Sequence, residues 1–164
     1  MATPAELAAL LDAGALTVAA PTEHPMLGVA ESRWVAPQRL VEAAQWAREG
    51  GYFLESMTCV DRLEPHGVFE LIYTFNRYDS PARVALRAWV PRGLAVPSLA
   101  GVFAIADWNE REAWELYGVE FSGHPDLTWL LLPEGTEFRP LLKSFAGPPP
   151  SSDDGAGRPS ARLE

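Results

Sequence analysis

The sequence predicts an α+β fold, a single domain in which an antiparallel, meander-containing sheet is covered by helices in two layers. Three observations lead there. Residues 52–90 alternate with a period of two and are interrupted only by two short turns, so the strands they form are antiparallel neighbours. Helical patterns with a proline at their start and glycine beyond their end precede this block, and another helix follows it. The 164 residues are 48% hydrophobic and include six Trp and seven Phe, enough to fill one core.

Taken in order, Thr3, Pro4 and Glu6 form a capping box at the start of a first helix with a Leu7, Leu10, Leu11 stripe, which Gly14 ends. Residues 16–19 read as a short edge strand before the breakers at 21–25. Residues 32–35 are another strand. A second helix opens at Pro37 and runs through Leu40, Val41, Ala44 and Ala47 to Gly50 and Gly51. Trp46 projects away from that stripe and is either a flank of the core or a contact for another protein. Three strands follow, residues 52–61, 68–78 and 82–90, separated by the turn at 63–67 and the break at 79–81. Ser98 is expected to cap a short helix containing Leu99, Val102 and Phe103. The folded domain is expected to span 1–145. Residues 146–164, rich in Pro, Ser and Gly, have too little apolar surface to offset their ordering entropy and are expected to be a disordered tail.

Charge and cysteine content exclude several functions. A formal charge of −9 with a pI near 4.8 gives nothing that would attract a phosphate backbone, so nucleic acid is not an expected partner. No stretch approaches the roughly 20 apolar residues that span a bilayer, and the N-terminus lacks a secretory layout, so a soluble, cytoplasmic protein without membrane insertion is expected. A single cysteine, Cys59, excludes an internal disulfide and a four-thiolate iron–sulfur cluster; its apolar, alternating surroundings make it a buried, inert thiol. His24, His66 and His124 lie too far apart in sequence for metal-ligand spacing.

The densest chemistry lies between Asp107 and Pro133. Asp107 and Glu110 have the spacing of a capping box that would start a helix at Trp108. Arg111 and Glu115, four apart, are expected to pair on its exposed face, with Trp114 and Tyr117 on another, and Gly118 to end it in a left-handed cap. Gly123 then permits an irregular backbone angle, Pro125 pushes His124 into an extended conformation, and Phe121 and Leu127 anchor either side. Leu130, Leu131 and Leu132 read as a buried extended run ending at Pro133. Glu110 and Glu112 invite an acid–base reading, but two residues apart they point to different faces, and neither they nor His124 are assigned a catalytic role.

This stretch resembles the signature of the 30 kDa subunit family of respiratory complex I, W-x-E-R-E-x-x-D-x-x-G-x-x-F-x-G-H-P-x-L-R-R-I-L-L-P. Trp108, Glu110, Arg111, Glu112, Gly118, Phe121, Gly123, His124, Pro125 and Leu127 match it in register, as do Leu131, Leu132 and Pro133. The upstream order of helix and strands, with Asp61 near a strand end and the strand through Phe69 and Phe75, looks similar too. The chain departs from the family at Glu115, where Asp is usual, at Thr128 and Trp129, where an Arg pair is usual, and at Leu142-Lys143-Ser144, where Arg-Lys-Asp is usual.

The resemblance implies a cofactor-free structural subunit of the hydrophilic arm of a proton-translocating NADH:quinone oxidoreductase. It would dock on the large quinone-site subunit beside iron–sulfur subunits, at the cytoplasmic face of the membrane. NADH, FMN, iron–sulfur clusters and quinone would belong to the partners. The same domain type occurs in group 4 membrane-bound nickel–iron hydrogenases and formate hydrogenlyases, with a nickel–iron centre in the large subunit, and that is the alternative placement. A stand-alone α+β ligand-binding protein is the third. The ten matched residues from Trp108 to Leu127 would form the signature and its subunit interface, with Arg111, Glu112 and His124 either touching a partner or pairing internally. Trp46, Trp114 and Trp129 would supply any exposed apolar patch.

Overall fold

Alternating apolar residues in the middle of the chain build three long strands: β3 (Phe53–Arg62), β4 (Val68–Asn76) and β5 (Arg83–Pro91). They belong to a computed structural model that describes residues 28–79 and 83–147, together with 3, 6, 9 and 17–19. Before them come β1 (Thr17–Ala19), β2 (Val29–Val35), a 3-10 turn at Pro37–Arg39 and helix α1 (Leu40–Glu49). After them come β6 (Val96–Pro97), helix α2 (Ala106–Tyr117) and β7 (Phe121–Ser122).

The main sheet has the order β1-β2-β5-β4-β3. Its β3–β4 and β4–β5 pairings are the antiparallel meander expected from the short connections, and β1 is antiparallel to β2. β2 instead runs parallel to β5, so the sheet is antiparallel in every pairing but that one. This pairing joins strands separated by α1, β3 and β4. No local pattern signals it. The fold is α+β.

On β4, Phe69, Leu71, Tyr73 and Phe75 face the core, and Val84, Leu86, Ala88 and Val90 of β5 continue the same layer. Leu40, Ala43, Ala44 and Ala47 of α1 and Ala106 and Ala113 of α2 complete it. β3 contributes Leu54, Met57 and Cys59 because a register shift between Leu54 and Ser56 changes its phase. Strict alternation would have placed Leu54 on the face opposite Met57 and Cys59; the bulge brings all three to one side. Burial pushes the Cys59 thiol well up, so it stays protonated and unreactive. Trp46 is half-buried and packs against this core, as its reading as a flank expects.

The opposite sheet face carries a charged row. Glu70, almost fully buried, accepts from Arg62 Nε at 3.2 Å and from Arg87 Nη2. The Arg87 guanidinium lies 4.7 Å from the Trp34 ring centre, and Trp34 stacks on Trp89 at 4.5 Å.

Of the first expected helix, both arms of the capping box are in place: Glu6 N–H donates to Thr3 Oγ1 at 3.2 Å and Thr3 N–H donates to the Glu6 carboxylate at 2.6 Å. Glu6 and Ala9 are helical; the other residues of that helix after Thr3 lie outside the described ones, as does the expected tail from residue 148 onward. The short helix expected after Ser98 is a succession of turns. Ser98 Oγ accepts from Ala100 N at 3.1 Å, so it caps one turn, and the chain then leaves for α2. β6 and β7 make a parallel two-stranded pair that the sequence did not suggest, closed by Val96 N to Glu120 O and Ser98 N to Ser122 O, both 2.9 Å.

Candidate functional site

α2, the short β7 and the irregular segment after it, residues 123–147, hold the signature. With little regular structure, that segment must satisfy its backbone groups by other means. The side chains of α2 supply several of them. Arg111 donates from Nε to the Thr128 carbonyl at 3.0 Å, and from Nη2 to the Trp129 carbonyl at 2.8 Å and Thr128 Oγ1 at 3.1 Å. One turn further on, the fully buried Glu115 carboxylate accepts from Leu130 N at 2.9 Å, Leu131 N at 3.0 Å and Leu132 N. A cation holds carbonyls and an anion holds three successive amides, an anion-binding nest closed by the protein's own carboxylate.

This arrangement corrects three expectations. Arg111 and Glu115 do share a helix face, but instead of pairing with each other on the surface each grips the backbone of the following segment. Leu130–Leu132 are anchored through their amides rather than their side chains, since Leu131 is 61% exposed. Glu110 does not cap α2: the helix starts at Ala106 with no side-chain cap.

Glu110 is instead fully buried. It accepts from Ser98 Oγ at 2.6 Å and Leu99 N at 2.7 Å, tying α2 to the turn after β6. With Ala106 and Ala113 it lies on the apolar stripe of α2, and burial raises its pKa despite the lowering hydrogen bonds of Ser98 and Leu99. Because the folded chain keeps this proton to higher pH than the unfolded chain does, stability falls as pH rises from 4.5, its ordinary value, through the raised one. Glu110→Gln is expected to lack that fall. Urea midpoints of the two proteins between about pH 4 and about pH 7 should converge toward the acid end and separate toward the neutral end.

His124 sits beside this carboxylate, its side chain only 1% exposed, with Nε2 3.9 Å from Glu110 Oε2. Nδ1 accepts from Asp126 N at 3.1 Å, which leaves the ring proton on Nε2, 3.1 Å from the Asp107 carbonyl and 3.4 Å from Asp107 Oδ1. Both ring nitrogens are thus engaged within the chain.

Two further clamps lie outside the ten signature residues, one at Asp61, noted only for its place near a strand end, and one at Arg139, which the sequence did not mark. Asp61, at the end of β3, accepts from Leu63 N and Lys143 N, both at 2.8 Å, and so fastens the far end of the irregular segment. Arg139 lies 5.6 Å from the ring centres of both Trp114 and Trp129, which themselves pack at 5.1 Å. Trp129 stands where the signature has arginine, and the Arg139 guanidinium lies over its ring. Gly118 sits at φ 82°, where a side chain is strained, and a Cβ there would also press on the Arg139 side chain, 3.3 Å from Nε. An acidic residue at a strand end was the available signal for Asp61; nothing local marks Arg139.

Of the remaining signature residues, Phe121 is in the core, Leu127 packs against it, and Gly123 turns the chain at φ 75°. Trp108, Glu112 and Pro125 face outward, Trp108 at 62% exposure. Trp114 and Trp129 are half-buried. The large apolar side chains that are well exposed among the described residues are instead others, Tyr78, Ile105 and Trp108 among them. Among the described residues no three His, Cys, Asp or Glu side chains gather into a group that could hold a metal, and no helix is long and apolar enough to cross a membrane.

The profile of the family described as "Respiratory-chain NADH dehydrogenase, 30 Kd subunit" matches residues 33–151. The chain is similar to the second C-type subunit of the NADH-quinone oxidoreductase of Rhizobium etli (strain CIAT 652), with 34% identity over 150 residues, 77% of this chain and 80% of that protein. It is similar also to the C-type subunit of the NADH-quinone oxidoreductase of Roseiflexus sp. (strain RS-1), with 35% identity over 128 residues, 72% of this chain and 74% of that protein. Among solved structures, a chain of the membrane-bound sulfane sulfur reductase, an archaeal respiratory membrane complex, has the same fold, with a TM-score of 0.70, 18% identity and coverage of 85% of this chain and 82% of that one.

Proposed function

The chain belongs to the 30 kDa subunit family of respiratory-chain NADH dehydrogenases, and on that premise we propose that it is a structural subunit of the hydrophilic arm of a proton-translocating NADH:quinone oxidoreductase. In this reading it docks on the large quinone-site subunit at the cytoplasmic face of the membrane and holds no redox group. NADH, FMN, iron–sulfur clusters and quinone are handled by its partners.

The observation that carries the proposal is where the signature's charges go. Glu110, Arg111 and Glu115 are committed to backbone and hydroxyl groups of their own chain, and His124 has both nitrogens engaged. A general acid or base needs a hydrogen-bonding position open toward substrate. These groups fix the shape of a segment, which suits a subunit whose task is to present a surface.

Purification tests it. The isolated chain should neither oxidise NADH nor carry a stoichiometric cofactor, and a tagged chain should bring the large subunit with it from membranes. Intrinsic NADH oxidation, or a cofactor retained at one equivalent, would contradict the proposal. A co-purified large subunit with nickel-binding cysteines would move the chain to the hydrogenase branch.

A further inference from the structure

The sheet ends on β3, a ten-residue strand, whereas the other edge, β1, has three residues. One side of β3 pairs with β4 along its whole length. Among the described residues nothing pairs with the backbone of its other side. An edge strand of this length is a template for another strand unless proline, charge or a bulge blunts it. β3 has its bulge and Glu55 at the beginning, but residues 56–60, Ser-Met-Thr-Cys-Val, carry neither proline, glycine nor charge.

Beside that edge α2 packs directly against β3, and two separate hollows open along the contact. At its start lies a 330 Å³ hollow between Phe53 and Tyr78, which stack at 4.3 Å, and Phe103 and Ile105. A 40 Å³ hollow follows between Met57–Cys59 and Asn109, Glu112 and Ala113. Asn109 Nδ2 is buried there without a hydrogen-bond partner, a donor awaiting an acceptor. Ile105, Trp108 and Glu112 lie three and four residues apart along the outer face of α2, with Ile105 49% and Trp108 62% exposed. Glu112, exposed beside the second hollow, gives this side a negative sign.

We propose that the outer edge of β3 takes an extended segment of the large partner subunit as a sixth strand. The segment places a large apolar side chain in the Phe53, Tyr78, Phe103 hollow, offers a backbone carbonyl to Asn109, and sets a lysine or arginine beside Glu112. Strand addition supplies affinity through backbone pairing and selectivity through such alternate pockets. The inference rests on the docking proposed above and names the surface that does it.

Residue-resolved hydrogen exchange on the purified complex tests it. In an open edge strand the amides alternate, protected where they face β4 and fast where they face water; a strand paired on both sides protects all of them. Uniform protection from Ser56 to Val60 is expected, together with at least about a tenfold loss of large-subunit affinity in Ile105→Asp, a substitution at an exposed position. A complex that forms while β3 keeps alternating fast and slow amides, or that tolerates Ile105→Asp, overturns the sixth strand and leaves docking elsewhere on the chain. A wild-type chain that brings no large subunit with it overturns the docking, and the strand with it.

Discussion

Glu115→Ala is expected to lower the free energy of unfolding by about 3 kcal/mol, among the largest losses available to a single side chain here. Three successive amides, at Leu130, Leu131 and Leu132, lose the carboxylate that accepts from them. Each such charged hydrogen bond contributes roughly 1.5–3 kcal/mol, but the sum is not reached. Removing a buried carboxylate also removes its desolvation penalty, and the freed segment can turn some amides to water. Glu115→Gln keeps an acceptor for only part of the nest and places its NH2 group against the rest, so its loss should fall between wild type and Ala. Urea unfolding followed by circular dichroism measures all three.

Phe75→Ala should lose about 3–5 kcal/mol by a different route. The ring is fully buried on β4 and its centre lies 5.5 Å from that of Phe103, which also lines the hollow beside β3. Its removal leaves a cavity among strands that can collapse only a little, since Tyr73 and Leu86 nearby are also fully buried and held by sheet pairing. The whole domain should therefore be affected alike. A thermal midpoint lowered by roughly 10 °C, the same by circular dichroism and by fluorescence, is the expected result.

The contrast between these two residues also explains what could be read in advance. Phe75 belongs to an alternating strand flanked by turns, and the meander, the Pro37 helix start and the Gly118 cap are all features whose partners lie close in sequence. Glu110 and Glu115 are different. The local rules offered each a nearby partner, a cap for one and Arg111 for the other, whereas their true partners lie 11 to 17 residues away in segments without a period. One sign was available for Glu110: a carboxylate at the i+4 position between Ala106 and Ala113 interrupts a small apolar stripe. The parallel β2–β5 pairing and the Arg139 contact with two tryptophans are set by tertiary packing, which leaves no such mark.

The signature works, above all, as a clamp on the segment that follows α2. Hydrogen exchange at Leu130, Leu131 and Leu132 bears on this most directly, because Leu131 has an exposed side chain and these residues belong to no helix or strand. Their amides should exchange slowly in the wild-type chain. In Glu115→Ala they should exchange at least about a hundredfold faster, a larger change than at the β4 amides, which report global unfolding. Fast exchange at all three in the wild type, or protection unchanged by the substitution, would contradict the clamp.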